Sequence, residues 1–335
     1  MNYTNSSGVP LALAVWLAND TYGGYSSHKK TISVTTLIRP LKQIALGFHV
    51  KADMVTSDVV DVLASRIGTA IHDAVESTWV KGEYKAALRK MNYPESFIER
   101  VVVNPEDPTK LPSNAFVVYS EKRTEKVIGD WCVSGEFDLC VDGQLEDIKS
   151  TKVYGFINDT NSQKYIEQGS LYRWLNPNII TKDTIKIDYI FTDYSSAMAA
   201  QEKRYPKKSV MGVEYPLNPY NQTDVWVKNR LKELDGLMLM TVDEIEANLP
   251  QCTDEELWRK ADVYKYYKDK TKTVRSTKNF DNFQEAYTRL VEDGSVGTIH
   301  TVKGAVVACK YCKAFPVCKQ KDQYILDGSL EIVNA

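Results

Sequence analysis

The sequence predicts an α/β fold, on three observations. Val59, Val60, Leu63, Ile67, Ile71, Ala74 and Val75 recur at helical spacing. Asp142-Gly143 stands between two strand-like runs, a strong hairpin signal. A second helical pattern, Gln163–Leu175, stops at Asn176-Pro177 and is followed by Ile185–Thr192, which reads as a buried strand. Helix, three strands, helix, strand is an α/β layout.

In chain order, residues 1–56 form an N-terminal segment: a short helix near Pro10–Asn19, a Gly/Ser/Lys loop and a stretch at Ile32–Leu46. Ser57 or Asp58 is the N-cap of a helix running to about Trp79. Pro94, Pro105, Pro108 and Pro112 then mark a loop. Strands are expected at Ala115–Lys122, Val127–Cys140 and Gln144–Lys149. Residues 57–200 hold this core. Residues 201–335 read as a helical, basic region, with helices at Gln222–Met238, Val242–Ala247, Glu255–Lys268 and Phe283–Glu292 and cysteines after them.

A chain of 335 residues, 43% apolar and 26% charged, can bury a core without disulfide staples. No apolar run approaches the ~20 residues that span a bilayer. The run Val9–Leu17 has no basic residues before it and meets Asp20, so no signal peptide is expected and the cytoplasm is the expected compartment. The net charge of −2 is uneven: residues 259–321 carry 14 Lys/Arg against 6 Asp/Glu. Such a segment suits a polyanion, and equally a solvated lysine-rich face. Of six cysteines, Cys309, Cys312 and Cys318 cluster, a spacing that suggests metal before disulfides.

The chemistry concentrates at the hairpin. Residues two apart on a strand share a face, so Asp147 and Lys149 project together and Ile148 points away. On the preceding strand Ser134, Glu136 and Asp138 form a polar face against apolar Val133, Phe137 and Leu139, and the turn brings Asp138 toward Asp147. Two carboxylates beside a lysine suit a hard divalent cation and a polarised water; an ordinary Asp–Lys pair on a hairpin edge has the same spelling. Gly68, His72 and Glu76 share one helix face, away from the Leu63/Ile67/Ile71 stripe, where His72 is a candidate third ligand and Gly68 permits close backbone approach. Gln168 and Tyr172 are likewise four apart.

The succession Gly68-Thr-Ala-Ile-His72, Gly135-Glu-Phe-Asp138, Glu146-Asp147-Ile-Lys149 and Gln168-Gly-Ser-Leu-Tyr172 resembles the motifs of RecB-type PD-(D/E)XK nucleases, a group that includes AddB and Cas4 proteins. Cys309-x2-Cys312-x5-Cys318 resembles the cysteine signature that closes AddB- and Cas4-like nucleases around an iron–sulfur cluster. The compact form looks like stand-alone phage exonucleases. The resemblance implies a restriction-endonuclease-like core, a central mixed sheet flanked by helices, with a cysteine metal cluster closing the C-terminal region. It implies that His72, Asp138, Asp147 and the Ile148 carbonyl hold Mg²⁺ or Mn²⁺. Lys149 would position the attacking water, and Gln168 and Tyr172 would orient DNA or brace the lysine. Glu76 and Glu146 are spare carboxylates. The implied activity is a DNA exonuclease of recombination or replication acting on ends or single strands; an endonuclease and a silent DNA-binding scaffold are the alternatives. No P-loop is visible, so unwinding would fall to a partner protein.

The chain departs from its relatives in having no cysteine before Cys132. Cys252 is the best fourth ligand, with Cys140, Cys132 or His300 as substitutes. Four thiolates suit [4Fe–4S] or structural zinc; the resemblance favours iron–sulfur. Tyr264, Tyr266 and Tyr267 interleave with Lys265, Lys268, Lys270, Lys272, Arg275 and Lys278, a composition suited to single-stranded DNA through phosphate pairing and base stacking. Tyr264 and Tyr267 also fit the core stripe of a helix.

Overall fold

A computed structural model describes residues 2–19 and 30–331. Most of the expected Gly/Ser/Lys loop lies outside them. The chain forms two compact units, one of residues 5–39 and 57–233, the other of residues 1–4, 40–56 and 234–335. The sequence reading had divided the chain after residues 56 and 200.

The larger unit contains α1 (Leu11–Ala18), β1 (Lys30–Ser33), α2 (Leu63–Val80), β2 (Val101–Val103), β3 (Phe116–Ile128), β4 (Trp131–Val141), β5 (Gln144–Thr151), α3 (Ser162–Leu175), β6 (Thr184–Phe191) and β7 (Val210–Pro216). Its strands lie in the order β2-β3-β4-β5-β6-β7, with β1 beside β4. The pairs β2/β3, β5/β6 and β1/β4 are parallel and the others antiparallel, so the sheet is mixed. Helix α2 packs against β3 and β5, and α3 against β4, β6 and β7.

Local chemistry explains most of these elements. Asp142 (φ 47°) and Gly143 (φ 80°) both take left-handed conformations, as a two-residue type I′ turn demands. The strand expected at Val127–Cys140 begins instead at Trp131. Val127 and Ile128 finish β3, and the ladder Ile128↔Trp131 closes over Gly129-Asp130. Gly129 alone supplies the positive φ there, a quieter signal than Asp-Gly. Strand β7 was not anticipated, because Gly212 and Pro216 interrupt its alternation.

The stripe expected on α2 is half-buried, and only in its later part. Ile71, Val75 and Trp79 pack against Val118, Leu139 and Ile148, whereas Leu63 and Ile67 remain 40% and 39% exposed. Asp58 does serve as a cap, accepting the Val60 N–H of the 3-10 turn that precedes the helix. On α3, Gly169 to Trp174 are all buried.

The second unit corrects the helical reading of the C-terminal region. Residues Glu255–Lys268 are not a helix: β8 (Val263–Tyr267) is the centre of an antiparallel sheet between β9 (Lys278–Phe280) and β10 (Thr298–Val302). Valine and three tyrosines in five residues favour a pleated, half-buried strand. Trp258, at φ 49°, takes a left-handed conformation that ends helical continuation before it. Tyr266 is fully buried against Phe280 and Ala286, the latter on the helix Phe283–Glu292. No helix among the described residues is long and apolar enough to cross a membrane.

Candidate active site

Strands β4 and β5 part where the acidic residues stand. Their ladder runs from Val141↔Gln144 to Leu139↔Glu146. One step further, the Asp138 carboxylate accepts the Ile148 N–H at 2.8 Å, a side chain standing in for a main-chain acceptor. Across β4's other edge the register with β3 is unchanged on either side, but the Glu121–Asp138 pair is skipped and Glu121 has φ 46°. Between Trp131 and Cys140 only Glu136 and Asp138 escape full burial.

Helix α2 delivers His72 to this opening. Its Nε2 lies 3.1 Å from the Ile148 carbonyl oxygen. Its Nδ1 lies 3.4 Å from Asp138 Oδ1 and 3.8 Å from Glu121 Oε1. Asp147, only 2% exposed, holds Lys149 Nζ at 2.5 Å. From α3, Gln168 Nε2 reaches Asp147 Oδ1 at 3.3 Å and the Tyr172 hydroxyl at 3.1 Å. His72, Asp138, Asp147, Ile148, Lys149, Gln168 and Tyr172 are thus brought together.

Crowded carboxylates shape the electrostatics. Burial, and then the Asp147 charge, push Asp138 up to about 6. Burial, with Asp138 as the next cause, pushes Glu121 up to about 8. Burial disfavours charge on Lys149, but Asp147 and Asp138 outweigh it and hold its ammonium above the ordinary range. A ring nitrogen and carboxylates packed this closely are a donor set for a divalent cation, whose charge would relieve their repulsion.

The spare carboxylates are not part of this group. Glu146 pairs with Lys186 at 2.8 Å. Glu76 enters no set of ligand atoms within 4.8 Å among the described residues, whereas His72, Glu121 and Asp138 do. Gly68 has no steric necessity, since an added Cβ would meet Ser150 Oγ at an ordinary 3.7 Å. Gly135 does: its Cβ would come within 2.8 Å of both Leu175 and Val34. Glu121 was missed by sequence reading. Among Ser120, Lys122 and Arg123 it looks like an ordinary polar edge residue.

In the second unit Cys252, Cys309, Cys312 and Cys318 line one cavity with Lys42, Gln43 and Gln320. Gln320 grips the Cys252 backbone on both sides, donating to its carbonyl and accepting its N–H, each at 2.9 Å. The main-chain N–H groups of Lys321 and Gln320 point at the Cys318 sulfur. Burial pushes Cys252 up to about 11 and Cys309 up to about 12, in each case reinforced by neighbouring thiols. A metal that displaces their protons fits such a set. Cys132 and Cys140 are buried in the larger unit, where the Cys140 thiol donates to the Ile179 carbonyl. His300 sits on β10 against the Tyr267 ring and does not line the cavity.

The tyrosines interleaved with the lysines turn inward. Tyr266 is wholly buried and donates its hydroxyl to Asp293, and Tyr267 is 6% exposed, so neither offers a face for base stacking. Lys268, Lys270, Lys272 and Arg275 stand exposed on the β8–β9 connection.

No family model matches the sequence, and no curated protein does. Similar solved structures include the following two. That of SSO0001 is 15% identical with a TM-score of 0.37, the match covering 67% of this chain and 83% of that one. That of a phage related exonuclease from Haemophilus somnus 129PT is 14% identical with a TM-score of 0.24, covering 50% of this chain and 79% of that one.

Proposed function

We propose that the larger unit is the catalytic centre of a metal-dependent DNA exonuclease of the PD-(D/E)XK type, hydrolysing phosphodiesters at ends or in single strands, in recombination or replication. One observation carries this reading: His72, Asp138, Asp147 and Lys149 converge from a helix and two neighbouring strands on a single opening. A structural salt bridge needs no imidazole and second carboxylate beside it.

His72, Asp138 and Asp147 would hold Mg²⁺ or Mn²⁺, with the Ile148 carbonyl alongside. When bound, the ion supplies charge neutralisation for the phosphate and a more acidic water. Lys149, kept protonated by Asp147, is placed to orient that water and to offset negative charge on the phosphate. Gln168 fixes the Asp147 carboxylate through one oxygen and is itself held by Tyr172.

Cys252, Cys309, Cys312 and Cys318 would bind a structural [4Fe–4S] cluster in preference to zinc. Tetrahedral zinc, with bonds of ~2.3 Å, places its sulfurs roughly 3.8 Å apart. No three of these thiols lie within 4.8 Å of one another among the described residues, and the preference for iron–sulfur rests on the resemblance of the cysteine spacing to AddB- and Cas4-like nucleases. Lys268, Lys270, Lys272 and Arg275 would meet DNA through its phosphates, giving a salt-dependent, sequence-indifferent contact.

The test compares end-labelled linear DNA with covalently closed circles in the presence of Mg²⁺ or Mn²⁺. Progressive shortening of the linear substrate alone is expected. Cleaved circles would establish an endonuclease instead, and no cleavage of either would leave a binding scaffold.

A further inference from the structure

We infer that Glu121 is a metal ligand, joining His72 Nδ1 and Asp138 in a mixed nitrogen and carboxylate site that takes Mn²⁺ in preference to Mg²⁺. This deepens the nuclease reading and rests on it; what is new is which side chains hold the ion.

A carbonyl oxygen can only accept, so the Ile148 oxygen 3.1 Å from Nε2 puts the proton of a neutral ring on that nitrogen. Nδ1 is then a lone pair. It faces Asp138 Oδ1 at 3.4 Å and Glu121 Oε1 at 3.8 Å, two further acceptors. With both carboxyls ionised, three acceptors turned on one another repel unless positive charge lies among them.

None of the three is placed there by chance of rotation alone. Asp138 is anchored through its other oxygen to the Ile148 N–H. Glu121 sits at the one position where the β3/β4 ladder is skipped, with φ 46°, a conformation uncommon for a residue with a side chain. Asp147, whose oxygens meet Lys149 and Gln168, lies beside these three donors rather than among them. An imidazole nitrogen among carboxylates suits Mn²⁺ better than Mg²⁺, which prefers oxygen ligands and retained waters. The competing arrangement is an imidazolium shared between the two carboxylates, with no metal.

Mn²⁺ binding to the full chain, without DNA, separates these. Calorimetry would give affinity, and electron paramagnetic resonance would detect the nitrogen nucleus coupled to the bound ion. The wild type should bind Mn²⁺ with nitrogen coupling, and more tightly than Mg²⁺. Glu121→Gln should weaken Mn²⁺ at least ~10-fold with the thermal unfolding of the metal-free protein retained; Glu121→Asp, which keeps charge but shortens reach, should fall between. Wild-type affinity in Glu121→Gln alongside its loss in Asp138→Asn would overturn the Glu121 assignment and leave the nuclease reading standing. Absence of Mn²⁺ binding by the wild type would overturn both.

Discussion

At the scale of single residues, the carboxylates around His72 tie pH to stability. Asp138 and Glu121 are both raised, by burial first and by neighbouring carboxylates next. A carboxyl with a raised folded value stabilises the fold below the ordinary carboxylate range, roughly pH 4, and that contribution is lost as pH rises through the folded value. The metal-free protein should therefore lose stability through pH 6, as Asp138 ionises, and again toward pH 8, as Glu121 does. Glu121→Gln should gain thermal stability relative to wild type between pH 6 and 8, and added Mn²⁺ should narrow that gap. Parallel melting curves for the two proteins across this range would contradict the electrostatic account. His72, Asp138, Asp147, Lys149, Gln168 and Tyr172 were legible in the sequence because their spacing follows helix and strand periods. Glu121 was not, since a skipped ladder pair and a left-handed φ leave no mark on spacing.

Elements show the same divide. The Asp142-Gly143 hairpin and α3 could be read directly, the first from turn chemistry and the second from its stop at Asn176-Pro177. The β8 strand could not: Tyr264 and Tyr267, three apart, imitate a helical stripe while standing on opposite faces of a strand. Tertiary burial of Tyr266 settles that contest, and a short window of sequence does not contain it. Gly135 offers a test of how α3 is seated. A methyl group there would collide with Val34, Leu175 and Tyr172, so Gly135→Ala should cost about 1–3 kcal/mol through overpacking. It should also lower activity, because α3 carries Gln168 and Tyr172. Unchanged unfolding and unchanged cleavage would show that the close approach is not needed.

Across the whole molecule, the chain builds two units, and the sequence reading could not foresee that residues 40–56 join the C-terminal one. In that unit Lys42, 3% exposed, pairs with Glu246 at 2.6 Å, a contact between positions 204 apart that no local pattern announces. The cysteines were visible as candidate ligands; their company of Lys42, Gln43 and Gln320 was not. Ligation contributes directly to folding of such a region. Cys252→Ser should deplete iron or zinc and make residues 255–300 protease-sensitive, while Mn²⁺ binding by the larger unit persists. A full metal complement in that variant would remove Cys252 from the ligand set.

The central claim is that the opening between β4 and β5 hydrolyses phosphodiesters, and Lys149 tests it most directly because it is not a metal ligand. The rate of end-labelled DNA hydrolysis should be measured for the wild type and for Lys149→Ala at saturating Mn²⁺, with Mn²⁺ affinity measured in parallel. The account predicts a loss of about 10²–10³-fold in rate with the ion still bound. Undiminished cleavage by Lys149→Ala would contradict it.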